Sequence, residues 1–408
     1  MSDSVSTETA EAPFLTARWG VLQAIRKRAY GLTIFFLSIL VVAGTAAGIH
    51  AKMVGSLEAY GASREIPWGI LISTYVFFVV TSTGLCLVSS IGHVFGVQAL
   101  MPIAKRSVFL AVATIVAGFF VIFFEIENPF RMAIYNVISP NLTSNIWWMG
   151  TLYGAYMVFM AVEFLLLVKG RYGIATITGF LGVIAGVAAH SNLGAVFGML
   201  DGREFWYGPF MPIYFITSAM MSGTAAIMLF TWLAYKVNGK KIEPETARAL
   251  EVTTKVGILL IAVILFFTTW KFIIGFAGGE SKIMALESLL TGPYAFNFWV
   301  LEIAVGMVIP LLLYLKSKGT NLSLMALASA MMMFGIFFMR YDLVVVGQVV
   351  PLQHELSVNE YPGLLSYTPS MYEILIVLAG IAMVGLAFLI GEKAFGGHVI
   401  EEHEGGEH

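Results

Sequence analysis

Ten stretches of this chain are predominantly apolar, each about twenty residues or longer, with more polar connections between them. They run over 30–52, 68–93, 104–127, 145–169, 173–192, 210–236, 251–277, 293–316, 322–347 and 369–393. At 1.5 Å of rise per residue, about 20 apolar residues in a helix match the hydrocarbon thickness of a bilayer. A membrane β-strand would need about ten residues of strict alternation, which these runs lack. The pattern therefore predicts an all-α membrane protein with ten transmembrane helices. The bulk composition agrees, because 58% of the 408 residues are hydrophobic and 12% are charged. A water-soluble domain carries roughly 25% charged residues to clothe its core.

The basic residues set the orientation. With the N-terminus inside, 16 Lys and Arg residues fall on the inner side and five (Lys52, Arg64, Arg131, Arg203 and Lys282) on the outer side. This bias predicts that both termini are cytoplasmic. Residues 1–29 read as a cytoplasmic segment without a cleavable signal, 30–395 as the transmembrane domain, and 396–408 as a disordered tail of Gly, Glu and His. The longest connections, 125–144, 193–209, 278–292 and 348–368, all lie on the outer side, where a partner is expected to dock. A net charge of −2 gives no nucleic-acid footprint. One cysteine, Cys86, permits neither a disulfide nor an iron–sulfur cluster with its roughly four thiolates. His50, His93 and His190 each sit near a helix end and no run holds two, so no haem is expected. Any redox role must then use a diffusible carrier, with electrons supplied by a partner.

Ionisable residues within such runs are costly and are functional candidates by default. Near the outer side, Glu125, His190, Arg131, Trp147 and Trp148 could form an amphipathic quinone pocket, in which aromatic walls hold a ring and polar groups meet its carbonyls. The ordinary alternative is an interfacial tryptophan belt beside a surface Glu125–Arg131 pair. Deeper, Glu163 follows Tyr156 and Met149 at seven-residue steps, and Ser82, Cys86, Ser89, Ser90 and His93 share one face of the second helix. Together they could lead protons inward from the cytoplasm; small polar residues also serve simple close packing. In the second half, Lys271, Glu302 and Arg340 lie at similar depths. They read either as a structural ion pair of Glu302 with a cation or as part of a proton path.

Several segments taken together resemble a known family. They are Ala189-His190-Ser191-Asn192-Leu193-Gly194, Phe205-Trp206-Tyr207-Gly208-Pro209-Phe210-Met211-Pro212 and Ser218-Ala219-Met220-Met221-Ser222-Gly223, supported by Glu127-Asn128-Pro129-Phe130-Arg131, Phe298-Trp299-Val300-Leu301-Glu302 and Arg340-Tyr341-Asp342. The set resembles the long-form NrfD membrane subunits, relatives of the polysulfide-reductase anchor, and within them those of the menaquinone reductase complexes of sulfate-reducing bacteria. The resemblance implies two four-helix bundles, helices 2–5 and 6–9, flanked by helices 1 and 10, in a bacterial inner membrane. It implies a menaquinone site near the periplasmic face of the first bundle, with His190 and Glu125 at that site. It also implies a periplasmic iron–sulfur subunit docked above, with a molybdopterin-type subunit and a multihaem cytochrome c as further partners. On this reading the chain is part of a menaquinone reductase that is inactive alone, supplying protons for quinone reduction. The alternatives are a quinol-oxidising subunit of a related complex, a secondary transporter and a passive anchor.

Overall fold

The computed structural model describes residues 12–352 and 363–395. The tail at 396–408, the first 11 residues and part of the last long loop lie outside the described residues. Ten helices long and apolar enough to cross a membrane occur among the described residues. They are α1 (Ala12–Val54), α2 (Ile70–His93), α3 (Met101–Glu125), α4 (Asn145–Val168), α5 (Tyr172–Gly198), α6 (Met211–Asn238), α7 (Pro244–Gly275), α8 (Asn297–Ser317), α9 (Leu322–Val346) and α10 (Met371–Ala394). No strand occurs among the described residues.

Three helix limits differ from those read in the sequence, because a helix can outrun its apolar stretch. α7 starts at Pro244, where the missing N–H falls among donors that have no intrahelical partner anyway. α5 runs on through Asn192 and Gly194 to Gly198. α1 begins at Ala12. Stretches expected to be loop are also helical, among them Pro129–Ile138, Glu280–Leu290 and the single turn Ser56–Ala59.

Consecutive helices run antiparallel, so α1 begins and α10 ends on one face, the terminal face. The connections after α1, α3, α5, α7 and α9 gather on the other, the loop face. Pairing is widest between α2 and α3, α4 and α5, α1 and α10, and α8 and α9. α2 also meets α5, and α3 meets α4, while α6 meets both α7 and α9. This accords with groups formed by α2–α5 and α6–α9, with α1 and α10 packed outside against α3.

The two groups meet along α2 and α6, where Gly84 faces Gly223. A Cβ on either glycine would run into the backbone of the opposite helix. In hydrocarbon no hydrophobic effect drives helices together, so such close backbone approach supplies the attraction. Gly306 and Gly335 make the same kind of contact between α8 and α9. The first part of α8, Asn297–Val308, is π-helical, and the α-helical turns resume at Ile309. Pro310 has no N–H to offer the Gly306 carbonyl, so an unbroken α-register could not pass through it.

Polar clasps fasten the loop face. Arg203 donates to the carbonyls of Gln348 (3.0 Å), Val350 (2.9 Å) and Glu65 (3.0 Å), tying three connections together. Gln348 exchanges hydrogen bonds with the backbone of Trp68, at 3.1 and 2.8 Å. Glu373 closes a capping box with Ser370 and also accepts from Gly61 N–H (2.7 Å) and the Tyr367 hydroxyl (2.6 Å). Burial and that carboxylate hold the Tyr367 hydroxyl well above its ordinary pKa, so it stays a donor. These clasps fix the start of α2.

Overpacking a close crossing costs about 1–3 kcal/mol or more when backbone must move. Gly84→Ala should therefore lower the thermal unfolding midpoint of the detergent-solubilised chain markedly. Gly154→Ala, where a Cβ meets nothing within 4 Å, should leave it unchanged. Equal midpoints in the two variants would contradict the backbone contact.

Candidate functional site

A cavity of about 640 Å³ opens at the loop-face end of the first group. Its walls come from the start of α2 (Trp68, Ile72, Tyr75, Val76), the end of α3 (Phe119, Ile122, Phe123, Glu125), the helix Pro129–Ile138, the start of α4 (Ile146, Met149, Gly150) and the end of α5 (Leu193, Val196, Phe197). The volume falls within the roughly 300–1,000 Å³ of small-molecule sites, and an apolar lining with few polar groups is their usual character. Glu125 supplies the cavity's carboxylate and Asn136 an amide.

The other residues read from the sequence as pocket groups lie around this cavity without lining it. Trp147 and Trp148 pack edge to face, with ring centroids 4.8 Å apart. Their indole N–H groups donate to Asn136 O (2.8 Å) and Leu142 O (2.9 Å), which ties the cavity roof to α4. Arg131 lies over the Tyr135 ring and lines a neighbouring groove. His190 is fully buried one layer behind the wall. Its Nδ1 is 2.9 Å from the Tyr153 hydroxyl, and the Tyr153 ring meets the edge of the cavity residue Tyr75. A hydrogen-bonded pair thus stands behind an aromatic wall.

Nearer the terminal face, Glu163 and His93 meet. His93 Nε2 and Glu163 Oε1 are 2.5 Å apart, and both side chains are buried. His93 Nδ1 is 3.0 Å from Ser89 O, which orients the ring. Two turns closer to the loop face on α4, the Tyr156 hydroxyl lies 2.9 Å from Ser82 Oγ and 3.0 Å from Ser82 O. Ser89 and Ser90 both bond back to the Cys86 carbonyl, so they satisfy their own helix. Seven residues separate Tyr156 from Glu163, about 10 Å of helix rise. The polar groups therefore form two clusters rather than one continuous chain.

The sequence of α5 explains how α4 keeps this polar column. Gly179, Gly182 and Gly186 face Glu163, Met160 and Tyr156 in turn. A Cβ at Gly179 would sit 2.8 Å from Glu163 Oε1 and 2.9 Å from His93 Nε2, and one at Gly186 would sit 3.1 Å from the Tyr156 ring. The glycines make the space that the carboxylate, imidazole and phenol fill.

In the second group, Lys271, Glu302 and Asp342 line a small cavity of about 20 Å³ together with Phe205 and Tyr214. That is room for about one water among several polar partners. Lys271 Nζ lies over the Phe205 ring, 3.8 Å from its centroid. Asp342 Oδ1 accepts from Asn297 at 3.3 Å, while Asp342 Oδ2 has no hydrogen-bond partner among the described residues. The expected ion pair of Glu302 with Lys271 or Arg340 is not formed among the described residues. Lys271 turns onto an aromatic face instead, and Glu302 projects from the π-helical part of α8. Arg340 points the other way. Its Nη2 donates to Ser218 Oγ at 2.6 Å, and its guanidinium lies over the Phe215 ring at 5.3 Å. His190 flanks that same ring, 5.8 Å between centroids. Arg340 thereby links the polar cluster of one group to the buried histidine of the other.

Sequence reasoning missed the walls. Trp68, Tyr75, Phe123 and Phe197 line the cavity, yet as residue types they match the many exposed aromatic side chains. Asn136 also lines it, and in the sequence it is one of several polar residues on the connection 126–144.

Residues 58–352 match the family model described as "Polysulphide reductase, NrfD". Among similar proteins, an Hdr-like menaquinol oxidoreductase integral membrane subunit of Archaeoglobus fulgidus is 27% identical, the alignment covering 88% of this chain and 93% of the relative. The C subunit of the selenate reductase of Mesobacillus selenatarsenatis is 25% identical, covering 89% and 92%. The membrane C subunit of a putative dimethyl sulfoxide reductase of Halobacterium salinarum is 25% identical, covering 88% and 91%.

The fit between Gly179 and the His93–Glu163 pair is testable by coupling. Gly179→Ala should destabilise the chain by about 1–3 kcal/mol. In a background carrying both His93→Ala and Glu163→Ala, where neither side chain fills the space, that loss should largely disappear. Equal losses in both backgrounds, read from thermal unfolding midpoints, would show that the glycine serves something else.

Proposed function

This chain belongs to the polysulphide reductase NrfD family of membrane subunits, and from that premise we propose that it handles menaquinone in the cavity beside Glu125, as the quinone-interacting subunit of a periplasm-facing respiratory oxidoreductase. The observation that carries this reading is the cavity itself. It is large and apolar, is walled by Trp68, Tyr75, Phe123 and Phe197, and presents one carboxylate and one amide at the level of the loop face. A quinone ring needs such walls, and its carbonyls need donors within hydrogen-bond reach. The name of the Archaeoglobus relative, a menaquinol oxidoreductase subunit, points to the same class of substrate.

Reduction of a quinone to its quinol consumes two electrons and two protons. A single cysteine leaves this chain without the thiolates of a cluster, so the electrons come from a partner. We assign that role to a periplasmic iron–sulfur subunit on the loop face, fed in turn by a molybdopterin-type subunit and a multihaem cytochrome c. Glu125, in the cavity wall, is the group placed to pass a proton to the substrate. Behind the wall, His190 and Tyr153 hold a second exchangeable proton. The His93–Glu163 pair stands on the terminal side, where it can take protons from the cytoplasm. Lys271, Glu302 and Arg340 form a second protonatable element, joined to His190 across Phe215.

A second reading, quinol oxidation, is favoured by the names of two relatives, which belong to a selenate reductase and a putative dimethyl sulfoxide reductase. The same residues serve it with the proton movements reversed. The transporter reading receives no support from symmetry. Transporters of the repeat type break helices at matched places in both halves, and the π-helical segment Asn297–Val308 has no counterpart among the described residues.

A positioned general acid contributes about 10²-fold or more to a rate. In the assembled complex, Glu125→Gln should lower kcat by about that factor while leaving menaquinone-analogue affinity within a few-fold. Unchanged kcat would remove Glu125 from the chemistry. Glu163→Gln should slow turnover without abolishing quinone binding. In vesicles with the cytoplasmic side inward, turnover should alkalinise the lumen in the wild type and less so in this variant. No alkalinisation in the wild type would show that the protons come from the other side.

A further inference from the structure

The ten-residue helix Pro129–Ile138 has no buried residue. Its two faces nonetheless differ. Pro129, Met132, Ala133 and Asn136, at i, i+3, i+4 and i+7, form one face and line the cavity. Phe130, Ile134, Val137 and Ile138 form the opposite face, and all four are exposed, Val137 at 78%. Arg131 is the one charged residue in the helix.

What covers the outward face follows from its surroundings. It adjoins exposed apolar side chains of α1, Ile49 and Met53, which line one groove together with Phe130. The helix is held at interface level from α4, through Trp147 Nε1 to Asn136 O (2.8 Å) and Asn136 Nδ2 to Thr151 Oγ1 (3.0 Å). Paired tryptophans at that level mark the boundary between headgroups and hydrocarbon. Beside the helix runs a groove of about 380 Å³ between α1 and α3, lined by Ile49, Lys52, Met53, Phe123, Pro129 and Phe130 among others. Phe123 and Pro129 also line the main cavity, so these side chains alone are common to both spaces.

We propose that Pro129–Ile138 lies in the lipid interface as a lid over the cavity, its outward apolar face immersed in the bilayer, and that the cavity opens sideways into the membrane past Phe123 and Pro129. Amphipathic helices with one apolar face bind membranes in this orientation, parallel to the surface. The immersion stands on the helix and its surroundings and does not depend on the quinone reading. The lateral opening as a substrate route rests on the quinone reading, and it explains how a ring carrying a long isoprenoid tail reaches its site without leaving the membrane.

The test uses the assembled complex in liposomes, with spin labels at Ile134→Cys and Val137→Cys. Collision with oxygen, which concentrates in lipid, should exceed collision with a water-soluble nickel chelate at both sites. Dominance of the nickel chelate, or protection from both reagents that is lost when partner subunits are stripped, would overturn the immersion by showing water or a protein partner there. The double variant Ile134→Glu with Val137→Glu should then raise KM for a long-tailed menaquinone by about 10-fold. KM for a tailless, water-soluble naphthoquinone should stay within about 2-fold, with kcat unchanged. Equal rises for both substrates would overturn the lateral route. If the wild type takes neither quinone, the quinone reading fails, while the spin labels still decide where the helix lies.

Discussion

At Gly84 and Gly223 the backbones of α2 and α6 touch, and the two helix groups are joined through that contact. A larger residue at either position would push apart the two helix groups. Elsewhere on α6, Ser218 receives Arg340 of α9, and the Phe215 ring meets both that arginine and His190 of α5. On the other side of α2, Tyr75 and Trp68 are turned into the cavity wall. A membrane interior cannot hold helices together by hydrophobic force, so the chain relies on small residues and on polar partners. The glycines facing Glu163, Met160 and Tyr156 are the second use of the same device.

Charge within the spans is arranged in two ways. Where stability alone is at issue, the groups pair fully, as Arg106 does with Glu392 through two hydrogen bonds of 2.6 and 3.2 Å. Around the cavities the pairing is looser. Among the described residues, Arg340 Nε and Nη1 and one Asp342 carboxylate oxygen have no hydrogen-bond partner. Leaving buried polar atoms unsatisfied costs about 1–3 kcal/mol each. The wide turn of a π-helix is itself frequent at functional sites.

Much of this was legible in the sequence. The ten spans follow from the length of the apolar runs, because lipid leaves the backbone few choices. Glu125, Glu163, His93 and His190 stood out because an ionisable group is conspicuous among Leu, Val and Phe. The cavity walls did not stand out. Tyr75 and Phe123, which face a cavity, are aromatic residues like Phe35 and Trp270, which face outward. Sequence periodicity separates polar from apolar faces, and in a membrane both the lipid side and the cavity side are apolar. The helix Pro129–Ile138 was read as loop because it is too short to span. The π-helical register of Asn297–Val308 left only Pro310 as a trace. Pairing was the other gap: Glu302 and Lys271 share a small cavity without meeting, because one rides a widened turn and the other is drawn onto Phe205.

The central claim is that the large cavity beside Glu125 is where the quinone binds. Photolabelling the assembled complex with an azido-menaquinone, followed by peptide mapping, tests it most directly. The account predicts adducts on the segments around Tyr75, Phe123 and Met149, suppressed by excess unlabelled menaquinone. Adducts confined to the segments around Lys271 and Glu302, with none at the first group, would contradict it.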